Sequence, residues 1–223
     1  MAVFLVTDPV NVASGFATEQ TPPPSVLTRL RLETRYEHEA VEKVLDLMGT
    51  THTAGDYRQR LKQFYGFYGA LEAALQARCA TPQLALLSPR LNKTLLLRQD
   101  LLYLGVATET LPLCSKLPPI QTQPQVLGCL YVMEGATLGG RLITQHVQAT
   151  FGITTATGGS FFGGYGPDTG KMWQAMRQLL VAGAPDLQSE NDMVASAIAT
   201  FASLRCWCQC YHEFSQIKAR DHA

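Results

Sequence analysis

Residues 27–45 read LTRLRLETRYEHEAVEKVL, and this stretch decides the fold class. Leu27, Leu30, Thr34, His38, Val41 and Leu45 recur every three or four positions, which lines them along one face of an α-helix. A half-buried strand would alternate at every second residue instead. Ser25, behind Pro22-Pro23-Pro24, is the predicted N-cap, and the helix is expected to run to about Met48, before Gly49.

The same period continues outward. Leu61, Phe64, Tyr65, Tyr68, Leu71 and Leu75 mark a second helix from about Asp56. Thr81-Pro82 and Ser88-Pro89 each resemble an N-cap followed by proline in the first helical position. Leu91 to Leu104 is a predicted helix stopped by Gly105, and residues 106–123 are a predicted connection. Pro124 opens a long helix to about Thr150, followed by a loop over 151–168 that holds six glycines. Asp168 is expected to cap a helix through Val181. Ser189 with Asp192 suggests a capping box for a last helix to about Ile217. No segment keeps a strand period. The expectation is all-α: one domain over 25–217, an N-terminal tail over 1–24 and a C-terminal tail over 218–223.

Composition narrows the function classes. Of 223 residues, 46% are hydrophobic and 16% charged, ordinary values for a globular protein. Eighteen basic and 18 acidic residues cancel, so no global field favours nucleic acid or an anionic membrane. The sequence shows no apolar run of the ~18–20 residues a membrane span needs. The apolar N-terminus lacks the basic start of a signal peptide. Cys79, Cys114, Cys129, Cys206, Cys208 and Cys210 form no CxxC pair, which suits a reducing cytoplasm and reads as small core hydrophobes.

His38 sits on the inward stripe, where a histidine bonded to a carbonyl is the ordinary occupant. Its neighbours add a second reading. Glu42 lies one turn later, close enough to orient an imidazole, while Arg35 and Arg31 lie one and two turns earlier. An imidazole beside a carboxylate and guanidinium groups suits a metal in an organic ring bearing carboxylates, as in haem. A solvated face pairing the arginines with Glu33, Glu37 and Glu39 explains them equally well. The residues alone leave both open.

The helix over 124–150 carries Gly128, Gly135, Gly139 and Gly140. Each costs roughly 1 kcal/mol of helix preference against alanine. Close packing on another helix would compensate; so would bare, kinked backbone against a flat ligand.

Three segments resemble the haem oxygenase family, in particular the bacterial biliverdin-forming branch associated with bacteriophytochromes. LRLETRYEHEAVE (Leu30–Glu42) resembles its proximal helix, LYVMEGATLGGRLI (Leu130–Ile143) its distal helix, and FFGGYGPDTGKMWQAMR (Phe161–Arg177) the loop and helix that follow. The resemblance covers roughly residues 27–215. It implies one all-helical domain with haem between the proximal helix and a kinked, Gly-rich distal helix. It also implies His38 as iron ligand, Glu42 as the acidic residue after it, and Arg31, Arg35 and Arg177 as propionate partners. Gly135 and Gly139 would face the ligand, and backbone carbonyls at the glycine kink, Thr137 or Tyr131 are the candidate polar supports beside them. The implied reaction is oxidation of haem at a meso carbon, using O2 and electrons from a ferredoxin or reductase, to biliverdin, Fe2+ and CO. Haem is then both cofactor and substrate.

One position departs from the pattern. Ala136 stands where relatives carry aspartate or serine, and its side chain cannot hydrogen-bond. A non-catalytic haem-binding or haem-sensing protein on the same fold is therefore the alternative reading. A di-metal oxidase would need paired E-x-x-H motifs, which the sequence lacks; Glu134 stands without a partner motif.

Overall fold

The computed structural model describes residues 24–49, 53–79 and 84–221. Residues 1–23 of the expected tail, the Thr81-Pro82 helix start and residues 222–223 lie outside them. The described residues form helices joined by turns and loops, with no strand among them.

The helices are α1 (Val26–Glu33), α2 (Arg35–Leu45), α3 (Ala54–Cys79), α4 (Lys93–Tyr103), α5 (Gln123–Phe151), α6 (Ser160–Gly163), α7 (Thr169–Ala182) and α8 (Leu187–Asp221). Short 3-10 turns occupy Ala85–Arg90 and Gly166–Asp168. Helices α5 and α8 form the most extensive pair, α2 packs on α8, α3 on α4, and α6 and α7 close against α5.

Ser25 caps α1 as expected, accepting a hydrogen bond from the Thr28 amide at 3.3 Å. The single first helix does not persist. It bends at Thr34, whose hydroxyl donates back to the Leu30 carbonyl at 2.6 Å, a bond that competes with the helix ladder. The stripe survives the bend, since Leu30, Val41 and Leu45 are all buried. Helix α2 then ends at Leu45 rather than near Met48, because Asp46 takes a left-handed conformation at φ 41°.

Other helix starts also moved. Ser88-Pro89 lies inside a 3-10 turn and opens no α-helix. The amide of Ser189 is taken by the Asp186 carboxylate at 2.8 Å, so α8 begins before the expected Ser189 cap and runs to Asp221. Helix α5 gains a capping box absent from the sequence reading: Thr122 accepts from the Gln125 amide, and the Gln125 side chain accepts from the Thr122 amide. Four cysteines are buried as expected, but Cys206 is exposed and Cys210 half-buried.

Three of the α5 glycines differ in what surrounds them. A Cβ on Gly128 would meet the Met193 carbonyl oxygen of α8 at 2.3 Å, and one on Gly140 would meet the Phe162 carbonyl oxygen at 2.1 Å. Those two positions allow backbone to approach backbone. Gly135 differs: the nearest atom to its Cβ position is Trp173 Cη2, at 4.0 Å. There a side chain would make ordinary contact without a clash.

Candidate functional site

Gly135 lines a cavity whose empty space, open solvent at its mouth included, is roughly 500 Å3. Helix α2 contributes His38, Val41 and Leu45, and α5 contributes Tyr131, Val132, Gly135 and Ala136. Phe64 and Tyr68 of α3 and Phe201 and Leu204 of α8 complete the wall. Apart from His38 and the two phenols the lining is hydrocarbon and glycine backbone, a surface that favours an apolar ligand over an ion.

His38 is half-buried and meets Phe201 edge-on, with ring centroids 5.4 Å apart and planes at 86°. The bend at Thr34 aims α2, and α8 holds it: Arg205 clasps the Glu37 carboxylate through Nε at 2.9 Å and Nη2 at 3.3 Å. The His38 Nε2 atom is buried and makes no hydrogen bond, though the residue as a whole is held by further interactions.

Tyr131 packs on Trp173 of α7, ring centroids 5.9 Å apart. Burial pushes its phenol pKa up, opposed by the Thr34 hydroxyl and the Arg31 charge. Arg31 therefore lies within electrostatic reach of the cavity wall. Arg177, half-buried, follows Trp173 by one turn of α7 and does not line the cavity. Arg35 takes the blander of its two readings. Its side chain is 67% exposed and pairs with Glu39 at 2.8 Å, which raises the guanidinium pKa and lowers the carboxylate's. Glu42 is half-buried and Gly139 buried, and neither forms part of the cavity wall.

Of the expected site residues, the fold thus gathers His38, Tyr131 and Gly135 around one hollow, with Arg31 close by. It also assembles groups that sequence reasoning missed. Phe201 and Leu204 lie far along the chain, on α8, and carry no local motif. Glu134, without a partner motif in the sequence, is 1% exposed and fully engaged. Arg90 Nη1 and Lys93 Nζ both bridge to its carboxylate, the latter at 3.2 Å, and the Tyr165 hydroxyl donates to it at 2.8 Å. Among the described residues no group of three His, Cys, Asp or Glu side chains converges as a metal-binding set.

The residues present fit haem in their chemistry. One imidazole and one glycine border the same apolar cavity, and a Cβ at Gly135 would meet Trp173 Cη2 at 4.0 Å, an ordinary contact without a clash.

A family model described as Heme oxygenase matches residues 25–209. Among solved structures, the NO- and CO-bound haem oxygenase from Neisseria meningitidis is 21% identical, with a TM-score of 0.68. That match covers 86% of this chain and 92% of that one. No curated protein matches the chain.

Proposed function

We propose, from the premise that the chain belongs to the haem oxygenase family, that it binds haem in the His38 cavity and opens the ring to biliverdin with release of Fe2+ and CO. The observation that carries this reading is the apolar cavity bordered by both His38 and the bare backbone at Gly135. Bound haem would supply the iron centre that takes O2 and the porphyrin edge that is oxidised, with electrons from a ferredoxin or reductase.

The chain's own part is to bind, orient and exclude. His38 would hold the iron as a neutral imidazole, and Glu42, one turn on, would orient the ring. Phe201 fixes the imidazole edge, which limits how far it can rotate. Gly135 and Ala136 keep the α5 side free of bulk, leaving room for a diatomic ligand. Gly139, one turn after Gly135, continues the small-residue face of α5. Arg31 is the best-placed propionate partner, with Tyr131 beside it; Arg177 is a second candidate. Arg35 would have to leave Glu39 to take part. The apolar walls keep bulk water from the ligand.

Mixing the purified protein with haemin, then reducing it in air, tests the reading. A shifted Soret band followed by bilin absorption supports it. Stable haem binding with no bilin would instead support the haem-sensing alternative, which the apolar side chain of Ala136 favours. No haem uptake contradicts both.

A further inference from the structure

The run Cys206-Trp207-Cys208-Gln209-Cys210 on α8 has no part in the ligand cavity. Its members differ in what they meet. Trp207 is buried and donates from Nε1 to the Gln63 carbonyl of α3 at 2.7 Å. Cys208 is buried too, and its carbonyl accepts from Gln63 Nε2 at 3.0 Å. Cys206 is exposed. Thiol reactivity follows access as well as thiolate content, which separates Cys206 from its buried neighbour.

A second thiol lies against this turn of α8. The connection between α4 and α5 crosses α3 here, with the Cys114 amide donating to the Gly66 carbonyl at 2.9 Å. A Cβ on Gly66 would collide with both the Pro112 carbonyl and the Trp207 ring, so the connection, α3 and α8 meet at that glycine. The Lys116 carbonyl joins the same elements. It accepts from Ser203, one turn before Cys206, and from the Cys114 thiol, whose Sγ lies 3.4 Å away. Burial pushes the Cys114 thiol pKa up, the bond to the Lys116 carbonyl opposes this, and nearby Cys206 pushes it further up. That last effect acts through space and requires the two sulfurs to be neighbours.

We propose that Cys206 and Cys114 form a reversible disulfide by exchange with a low-molecular-weight disulfide such as oxidised glutathione. The exposed Cys206 thiolate attacks one sulfur of the oxidant, whose S–S bond breaks. One glutathione leaves as thiolate and takes up a proton. Cys114, deprotonated in turn, attacks the Cys206 sulfur and displaces the second glutathione, which is protonated likewise. Two protein thiols lose two electrons and one glutathione disulfide gains them. Cys114 sits in non-helical chain, which can adjust to the geometry of the bond while α8 keeps its own. Cys208 is excluded by burial, which pushes its thiol pKa up to about 12. The bond would pin the connection to α8 beside Arg205, the residue that clasps Glu37 next to His38.

The test treats the reduced full-length chain with oxidised glutathione under native conditions, blocks remaining thiols and maps the peptides by mass spectrometry. Wild type should yield a Cys114–Cys206 link without retained glutathione, with Cys129 and Cys208 still reduced. Cys114→Ser should stop at a glutathione adduct on Cys206, and Cys206→Ser should react at least about tenfold more slowly. A stable adduct on wild-type Cys206, or a link from Cys206 to Cys208 or Cys210, overturns the proposal. Equal rates for wild type and Cys206→Ser also overturn it. The link closes a long loop, so oxidised wild type should melt about 4 °C or more above the reduced protein, reversibly with dithiothreitol. An unchanged or lowered Tm contradicts a bond that fits the native fold. Should Cys114→Ser fail to fold, the wild-type peptide map decides.

Discussion

His38 and Gly135 show how much one residue can be worth when two helices bring it to the same hollow. A Cβ at Gly135 meets nothing closer than 4.0 Å, so Gly135→Ala should fold normally and gain up to about 1 kcal/mol of helix preference. Gly135→Phe should also fold, yet fill the cavity and weaken haemin binding by roughly tenfold or more, about 1.4 kcal/mol. Thermal melts beside haemin titrations separate the two effects; a Phe variant that binds haemin normally would put the ligand elsewhere. At this scale the sequence was legible where a residue acts through its own helix. His38 was visible from its stripe and its neighbours at helical spacing. Glu134 was not, because Arg90, Lys93 and Tyr165 reach it across different elements.

Helix α5 is the element on which packing and site coincide. Gly128→Ala should destabilise the protein by about 1–3 kcal/mol, the reverse of Gly135→Ala, because its methyl group would press on the α8 backbone at Met193. Equal melting temperatures for the two variants would contradict this division of the glycines. The short helix α6 depends on a different device. Asp100, 2% exposed, accepts both the Ser160 and Phe161 amides at 2.8 Å and so caps α6 from α4. Asp100→Ala leaves both amides unsatisfied and should cost about 2–4 kcal/mol in denaturant unfolding. Burial raises the Asp100 pKa. Its native form therefore binds a proton more readily than the unfolded chain, and this group's contribution falls as pH rises through the raised value. Helix periods in the sequence located most of these elements. They could not show the bend at Thr34, which is a side-chain bond to a carbonyl, nor the cap at Asp186, which no apolar pattern marks.

For the whole molecule, burial decides how α5 is read. It is the one described helix long and apolar enough to cross a membrane, with a mean hydropathy of 1.3 over its best window, where the sequence reading expected no such run. Two thirds of that window, 67%, is buried inside the fold, where α8, α7 and α6 cover it. The all-α class followed directly from the residue period. The cavity did not, since its wall draws on α2, α3, α5 and α8, and only tertiary packing brings these together. A ligand that binds only the folded state must stabilise it, so haemin at a hundred times its Kd should add about 2.7 kcal/mol to unfolding. The most direct measurement compares haemin-loaded wild type with His38→Ala by absorption and resonance Raman spectroscopy. The expected result is histidine–iron ligation in the wild type and its loss in His38→Ala, with both proteins folded. Identical ligation signatures in the two proteins would contradict a haem site built on His38.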